Sequence, residues 1–230
     1  KLDLVHHYGA KTENIQVIPC GVNLDRFRPM EVINREELGL NCSPVILYVG
    51  RIEPLKGIDR LIKAMACLAD NHNPRLVIIG GDQQSQTEIN RLKRLSQELG
   101  LAHPVNFLGT IAHQRMPDYY NAASVLVIPS YYESFGLVAL EALACGTPVV
   151  TTDIGDMKNL IHHGDTGYVT GDDKPTSLAS GIDALLSRTT NGTQAYAIRA
   201  SVAHLSWANI AESVIRECYR LTAETITTSR

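Results

Sequence analysis

Ser130-Tyr131-Tyr132-Glu133-Ser134-Phe135-Gly136-Leu137-Val138-Ala139-Leu140-Glu141-Ala142-Leu143-Ala144-Cys145-Gly146-Thr147-Pro148-Val149-Val150 leads from the end of one apolar strand, residues 125–129, through a helix to the next strand. The helical part, residues 135–144, is apolar almost all round, which predicts that it is buried. One carboxylate, Glu133, stands just before this helix and a second, Glu141, inside it. The free backbone N–H groups at a helix entrance suit a phosphate. Gly136 lets a ligand approach that entrance closely. A carboxylate about two turns further in can accept hydrogen bonds from ribose hydroxyls. A sugar nucleotide needs both.

Outward from this stretch, strand-like runs fall at residues 15–18, 44–49, 75–79, 105–108, 124–129, 148–151 and 168–170. Most are continuously apolar rather than alternating, the mark of a sheet covered on both faces. Helical patterns lie between them at 58–70, 87–99, 116–123 and 135–144. Leu61, Ile62, Met65, Ala66 and Ala69 repeat at i, i+3, i+4 spacing in the first. This alternation predicts an α/β fold, a doubly wound parallel sheet with right-handed crossovers. Beyond Pro175 the pattern is purely helical, over about residues 175–187, 194–204 and 207–223. Trp207 and Tyr219 are expected to anchor the last helix, and residues 226–230 to fray. The opening 29 residues read as a helix end, a strand at 14–19 and a Gly-Asn-Asp-Pro linker at 20–29.

Composition narrows the function. The hydrophobic fraction is 44% and the formal net charge −3. No basic stripe interleaves with aromatics, so nucleic acid is not an expected partner. The basic residues of the helix at 87–99 share it with the apolar stripe Ile89, Leu92, Leu95 and Leu99, which predicts a solvated outer face. Cys20, Cys42, Cys67, Cys145 and Cys218 lack Cys-x-x-Cys spacing and suit a reducing cytoplasm. No signal peptide or membrane-spanning apolar run is present. The first residue is Lys1, so the chain is expected to be a piece of a longer protein.

In an open parallel sheet, ligands bind beyond the carboxyl ends of the strands. Arg51 and Lys56 follow the strand that ends at Val49, and read either as solvated surface cations or as a diphosphate clamp. A cation at a helix entrance opposes the helix dipole, which makes more sense with an anion beside it. Among 24 acidic residues in 230, pairs eight apart arise by chance roughly two or three times. Glu141 says more, because a carboxylate in an apolar helix needs a partner, either a nearby Arg or Lys or a ligand. Asp156 is expected to cap a short helix at 157–161. The pairs His6-His7 and His162-His163 read as surface residues, not metal ligands. Zinc spacing, an Asp-x-Asp clamp, a nucleophile elbow and a Walker loop are all missing, and Gly80-Gly81 is not a complete dinucleotide fingerprint.

Three strings carry a resemblance. V-G-R-I-E-P-L-K-G-I-D-R-L-I-K-A, then V-N-F-L-G-T with Tyr119 and Tyr120 beyond it, then I-P-S-Y-Y-E-S-F-G-L-V-A-L-E-A-L-A-C-G-T-P-V-V occur in order. Together they resemble the donor half of a retaining GT-B glycosyltransferase, in the group 1 family that includes sucrose-phosphate synthases and mycothiol-pathway transferases. V-I-P-C-G-V-N-L-D-R-F-R-P resembles the hinge between that family's two Rossmann-like domains. The resemblance implies a Rossmann-like donor domain over residues 30–230, preceded at 1–29 by a linker and the end of a missing acceptor domain. It implies that Arg51 and Lys56 hold the donor diphosphate and take part in the chemical step with Glu133. Glu133 and the backbone around Phe135, Gly136 and Leu137 would meet the transferred sugar, Ser134 would also bind the donor, the amides of Leu137 and Val138 would face phosphate, and Glu141 would bind ribose. Gly50 would border the donor, and Gly109, Thr110 and Ile111 would line the base. Neither a metal nor a cofactor is implied. Asp156 stands where relatives usually carry a second glycine, and Cys20 where asparagine is common.

The expected reaction moves a hexose, as in UDP-glucose, to a hydroxyl acceptor with retention. The missing acceptor domain implies that this piece binds donor but transfers poorly. An NDP-sugar epimerase or sugar phosphorylase on a related frame, and a non-catalytic nucleotide-sugar module, are the rival readings.

Overall fold

Val45–Val49 (β1), Arg75–Ile79 (β2), Asn106–Gly109 (β3), Val125–Ile128 (β4), Val149–Thr152 (β5) and Gly167–Thr170 (β6) form one parallel sheet in the order β3-β2-β1-β4-β5-β6. They belong to a computed structural model that describes residues 1–40, 44–69, 73–101, 105–188 and 192–228. The helices are α1 (Leu2–Tyr8), α2 (Ile58–Met65), α3 (Gln86–Glu98), α4 (Met116–Ala122), α5 (Leu137–Ala144), α6 (Met157–Leu160), α7 (Pro175–Leu186), α8 (Gly192–Ser201) and α9 (Trp207–Thr228).

The sheet lies in a unit spanning Leu24–Ala203. Register pairs Leu47 with both Val77 and Leu126, so the central strands bury their side chains on both faces. That is why they read as continuous apolar runs. Ile46, Tyr48, Leu76, Ile78, Val125 and Val127 pack on one face with Ile58, Leu61 and Ile62 of α2 and Leu178 and Ile182 of α7. The opposite side chains of β1, β4 and β5 are equally buried, and α4 and α5 lie against those strands. Strand order reverses between β1 and β4, so the loops leaving these two strands diverge and open a crevice at their carboxyl ends.

Two helices are shorter than the periodicity suggested. α2 ends at Met65 because Cys67 N and Leu68 N bond three residues back, to Ala64 O and Met65 O, and tighten the chain into turns. α5 starts at Leu137 rather than at Phe135, because Gly136 sits at φ 86° in the left-handed region.

Lys1–Asn23 and His204–Arg230 make a second unit. Residues 15–18 are not a strand; the ladder contact nearby is a single bridge, Val22 to Ser206, with Val22 N bonded to Leu205 O. An extended segment without a partner edge has nowhere to send its N–H groups except solvent or a bridge of this kind. Gly21 lies against the Trp207 ring, where a Cβ would come within 2.9 Å. Tyr219 is 74% exposed and anchors nothing among the described residues. α9 spans Trp207–Thr228. Cys42, Asp70, Ser229 and Arg230 lie outside the described residues.

Candidate functional site

Two loops are laced together at the switch between β1 and β4. Tyr48 reaches up from β1, and its buried hydroxyl donates to Arg51 O at 2.7 Å, fixing the start of the first loop. Tyr131 N bonds Leu55 O across the gap at 2.9 Å. Arg60, buried on α2, donates to Pro129 O at 3.3 Å and Asp173 Oδ2 at 3.0 Å, and stacks on the Tyr131 ring at 4.0 Å. Thr152 Oγ1 donates to Ser130 O at 2.7 Å from β5. Buried hydroxyls and a guanidinium thus hold loop carbonyls that would otherwise be unpaired.

Between these loops Lys56 Nζ and Glu133 Oε2 form a 3.0 Å ion pair, with side chains 15% and 20% exposed. Glu133 Oε1 accepts from Ser134 N at 3.1 Å. Arg51 differs: it is 78% exposed and paired with Glu53 at 3.0 Å. Of the two cations, Lys56 is the sheltered one. Beyond Glu133 comes the mouth of α5. Among the described residues, Ala139 is the first of its amides bonded within the chain, to Gly136 O at 2.9 Å. The amides of Leu137 and Val138 are left over there, as at any helix start.

An open crevice of about 920 Å³ borders this mouth, lined by Gly50, Arg51, Thr110, Ile111, Leu137, Val138 and Glu141. Lys56, Glu133, Ser134, Phe135, Gly136 and Gly109 stand outside that wall: Gly109 and Gly136 adjoin lining residues, Lys56 and Glu133 form the ion pair just described, and Ser134 and Phe135 connect Glu133 to Gly136. The far side is built from close backbone approaches. Gly80 N bonds Gly109 O at 2.8 Å, Gly50 N bonds Ile79 O at 3.0 Å, and Thr110 Oγ1 donates to Gly81 O at 2.9 Å. Asp82 and Ser85 make a reciprocal capping box at the start of the next turn. The Ser85 hydrogen bonds hold the Asp82 carboxyl below its usual range.

Glu141 has neither an Arg nor a Lys as partner. Tyr120 Oη donates to its Oε2 at 2.7 Å, and His113 Nε2 lies 2.8 Å from its Oε1. His113 Nδ1 in turn meets Arg26 Nη1 at 3.3 Å, and its ring packs against Phe27 with centroids 5.3 Å apart. Sequence reasoning missed His113 and Arg26 as site residues and met Tyr120 only within a motif. A tyrosine on an apolar helical stripe reads as core, and no spacing ties a histidine in a single 3-10 turn to a carboxylate 28 residues on. Asp156 occupies the N-cap of α6 as expected, but its side chain bonds the Asn159 amide at 2.6 Å rather than a backbone N–H. His6, His7, His162 and His163 are exposed, and no group of three or more metal-binding side chains occurs among the described residues. Cys20, Cys67, Cys145 and Cys218 are free. No described helix is long and apolar enough to cross a membrane.

Burial, reinforced by the charge of Glu141, pushes Tyr120 well above its ordinary range and raises Cys145 to about 12. Burial likewise raises Tyr48, with Glu53 and Glu133 adding to it. The folded chain therefore keeps these three protons to higher pH than the unfolded chain, whose thiol and phenols ionise near 8.5 and 10. Stability from these groups is complete below about pH 8 and falls as pH rises beyond the unfolded values. Urea midpoints recorded between pH 7 and 11 are expected to decline above about pH 8.5. Cys145→Ala should flatten the first part of that decline, and a midpoint level to pH 11 would contradict the assignment.

Residues 32–201 match the family described as glycosyl transferases group 1. The chain is 39% identical over 223 residues to a D-inositol 3-phosphate glycosyltransferase of Acidothermus cellulolyticus, covering 92% of this chain and 49% of that protein. It thus spans about half the length of that curated relative. In structure it is similar to sucrose-phosphate synthase of Thermosynechococcus elongatus, with TM-score 0.82 and 35% identity over 97% of this chain and 56% of the other. Anabaena Alr3699/HepE, solved in complex with UDP-glucose, superposes with TM-score 0.78 and 26% identity over 93% and 60% of the two chains. With a six-stranded parallel sheet wound as in the carboxyl-terminal domains of GT-B enzymes and a family match across most of its length, the chain belongs to the glycosyl transferases group 1 family.

Proposed function

We propose that this chain is the donor-binding part of a retaining hexosyltransferase that uses a nucleoside-diphosphate sugar of the UDP-glucose kind. One observation carries the reading: the open mouth of α5 and Glu141 line one crevice at the strand-order reversal, and the sheltered Lys56–Glu133 pair bridges the two loops that leave β1 and β4 there. Lys56 and the amides of Leu137 and Val138 meet the diphosphate, with the exposed Arg51 closing from the solvent side. Charge grows on the diphosphate as the sugar leaves, and a cation with preorganised N–H groups stabilises it most at that moment. Glu133 and the backbone at Ser134, Phe135 and Gly136 face the hexose. Glu141 takes the ribose hydroxyls, and Gly109, Thr110 and Ile111 border the base next to Gly50. The HepE complex supports this donor class by likeness. A hydroxyl acceptor comes from a separate amino-terminal domain, and the free cysteines fit a cytoplasmic enzyme.

On this reading no divalent cation is required, because side-chain cations and amides meet the phosphate charge. Calorimetric titration of the chain with UDP-, GDP- and ADP-glucose is expected to show one of the three binding in the micromolar range, equally well in EDTA and in magnesium. No heat with any of them would end the proposal, and a strict need for magnesium would end its metal-independent part.

A further inference from the structure

We infer that His113 is the positioning residue for Glu141, and that Arg26 selects the imidazole tautomer with which it does so. The inference rests on the reading of Glu141 as the ribose ligand. A guanidinium only donates hydrogen bonds, so at the 3.3 Å contact Nδ1 of His113 is the acceptor and Arg26 Nη1 the donor. The ring proton of the neutral imidazole then sits on Nε2 and points to Glu141 Oε1 at 2.8 Å. The hydrogen-bond partner of one ring nitrogen thereby decides what the other can do.

Glu141 is held at both oxygens. Tyr120, fully buried on α4, donates to Oε2, and His113 donates to Oε1. An ionised carboxylate has about four lone-pair sites. One on each oxygen is used by the protein, and one on each faces the crevice, the number needed for two neighbouring hydroxyls. The Tyr120 end cannot turn without disturbing the core. The His113 end opens the single 3-10 turn at His113–Arg115 and is 56% exposed, so the order of its side chain comes from Arg26 and from the Phe27 ring against it. Arg26 and Phe27 belong to the stretch at 20–29 that reads as a linker. That stretch therefore supplies part of the support for a carboxylate more than 110 residues along the chain.

The test uses whichever of UDP, GDP and ADP the wild-type chain binds most tightly, together with its 2′,3′-dideoxy counterpart. The ratio of the two affinities reports the carboxylate–hydroxyl contacts and not fold stability. Wild type is expected to prefer the ribose form by about tenfold or more, the loss of charge-assisted hydrogen bonds. His113→Ala is expected to bring the ratio within about threefold of unity while barely changing dideoxynucleotide affinity. His113→Gln, whose amide nitrogen reaches the Nε2 position, should restore most of the preference, and His113→Asn, which donates from the Nδ1 position, should not. Arg26→Ala should lower the ratio alone and add nothing in the His113→Ala background. A preference that survives in His113→Ala overturns the positioning role, and full additivity with Arg26→Ala overturns the tautomer relay. A wild type without any preference fails differently: it removes Glu141 as the ribose ligand, and the proposal with it.

Discussion

Lys56→Ala is expected to weaken nucleoside-diphosphate binding by about 10- to 100-fold, the value of one charge-assisted contact, and, in the full-length enzyme with its acceptor domain, to lower turnover by about 100-fold or more. The difference between the two losses is the informative part. A cation that only held the ground state would cost affinity alone, whereas one that meets charge growing on the departing diphosphate costs more in the transition state. Lys56 is suited to the second role because it is already in place, 3.0 Å from Glu133 and largely out of solvent. The same pair keeps the Glu133 charge compensated. Removing the lysine leaves the sheltered Glu133 with the Ser134 amide and the remaining solvent, so the fold should also lose about 1–3 kcal/mol. Arg51, out in solvent beside Glu53, should matter less, and Arg51→Ala is the natural comparison. Turnover and affinity in Lys56→Ala equal to wild type would remove the electrostatic account altogether.

Gly57→Ala is expected to cost about 2–5 kcal/mol of stability, from left-handed strain plus overpacking. Its melting temperature should fall by about 10 °C. Gly57 joins Lys56 to α2 at φ 63°, and its carbonyl accepts the first bonds of that helix, from Arg60 N and Leu61 N. A Cβ at this position would run into the carbonyl oxygen of Pro129. That carbonyl is fixed by Arg60 and belongs to backbone at the end of a buried strand, so it cannot swing aside. Gly100, at φ 61° with nothing within 4 Å of a Cβ, isolates the conformational part: Gly100→Ala should cost only about 1–2 kcal/mol. Equal losses for the two alanines would show that the approach of the first loop to β4 is not tight. Because the same backbone carries Lys56, any Gly57→Ala protein that still folds should also bind nucleotide poorly.

Much of this architecture was readable from residue order. The six strands of the sheet lie within one or two residues of their apolar runs, since strands buried on both faces need unbroken hydrophobic side chains. That a buried helix enters near Gly136 was legible from its almost entirely apolar run, although that run set the first residue at Phe135, two positions early. Residues 15–18 misled because a short apolar run is equally consistent with an extended segment that no strand partners. The helix ends at Met65 and Leu137 depended on single turns of backbone that periodicity does not report.

Residue order by itself determined an α/β chain with a buried helix following Gly136 and a carboxylate on either side of that helix's entrance. Folding alone decided which charges meet. Lys56 and Glu133 are 77 positions apart, and His113 reaches Glu141 across 28. Periodicity reports how much of a side chain is covered, a local property. Ion pairs between loops depend on which strands lie side by side, and here the return of β4 to the edge of β1 set those neighbours.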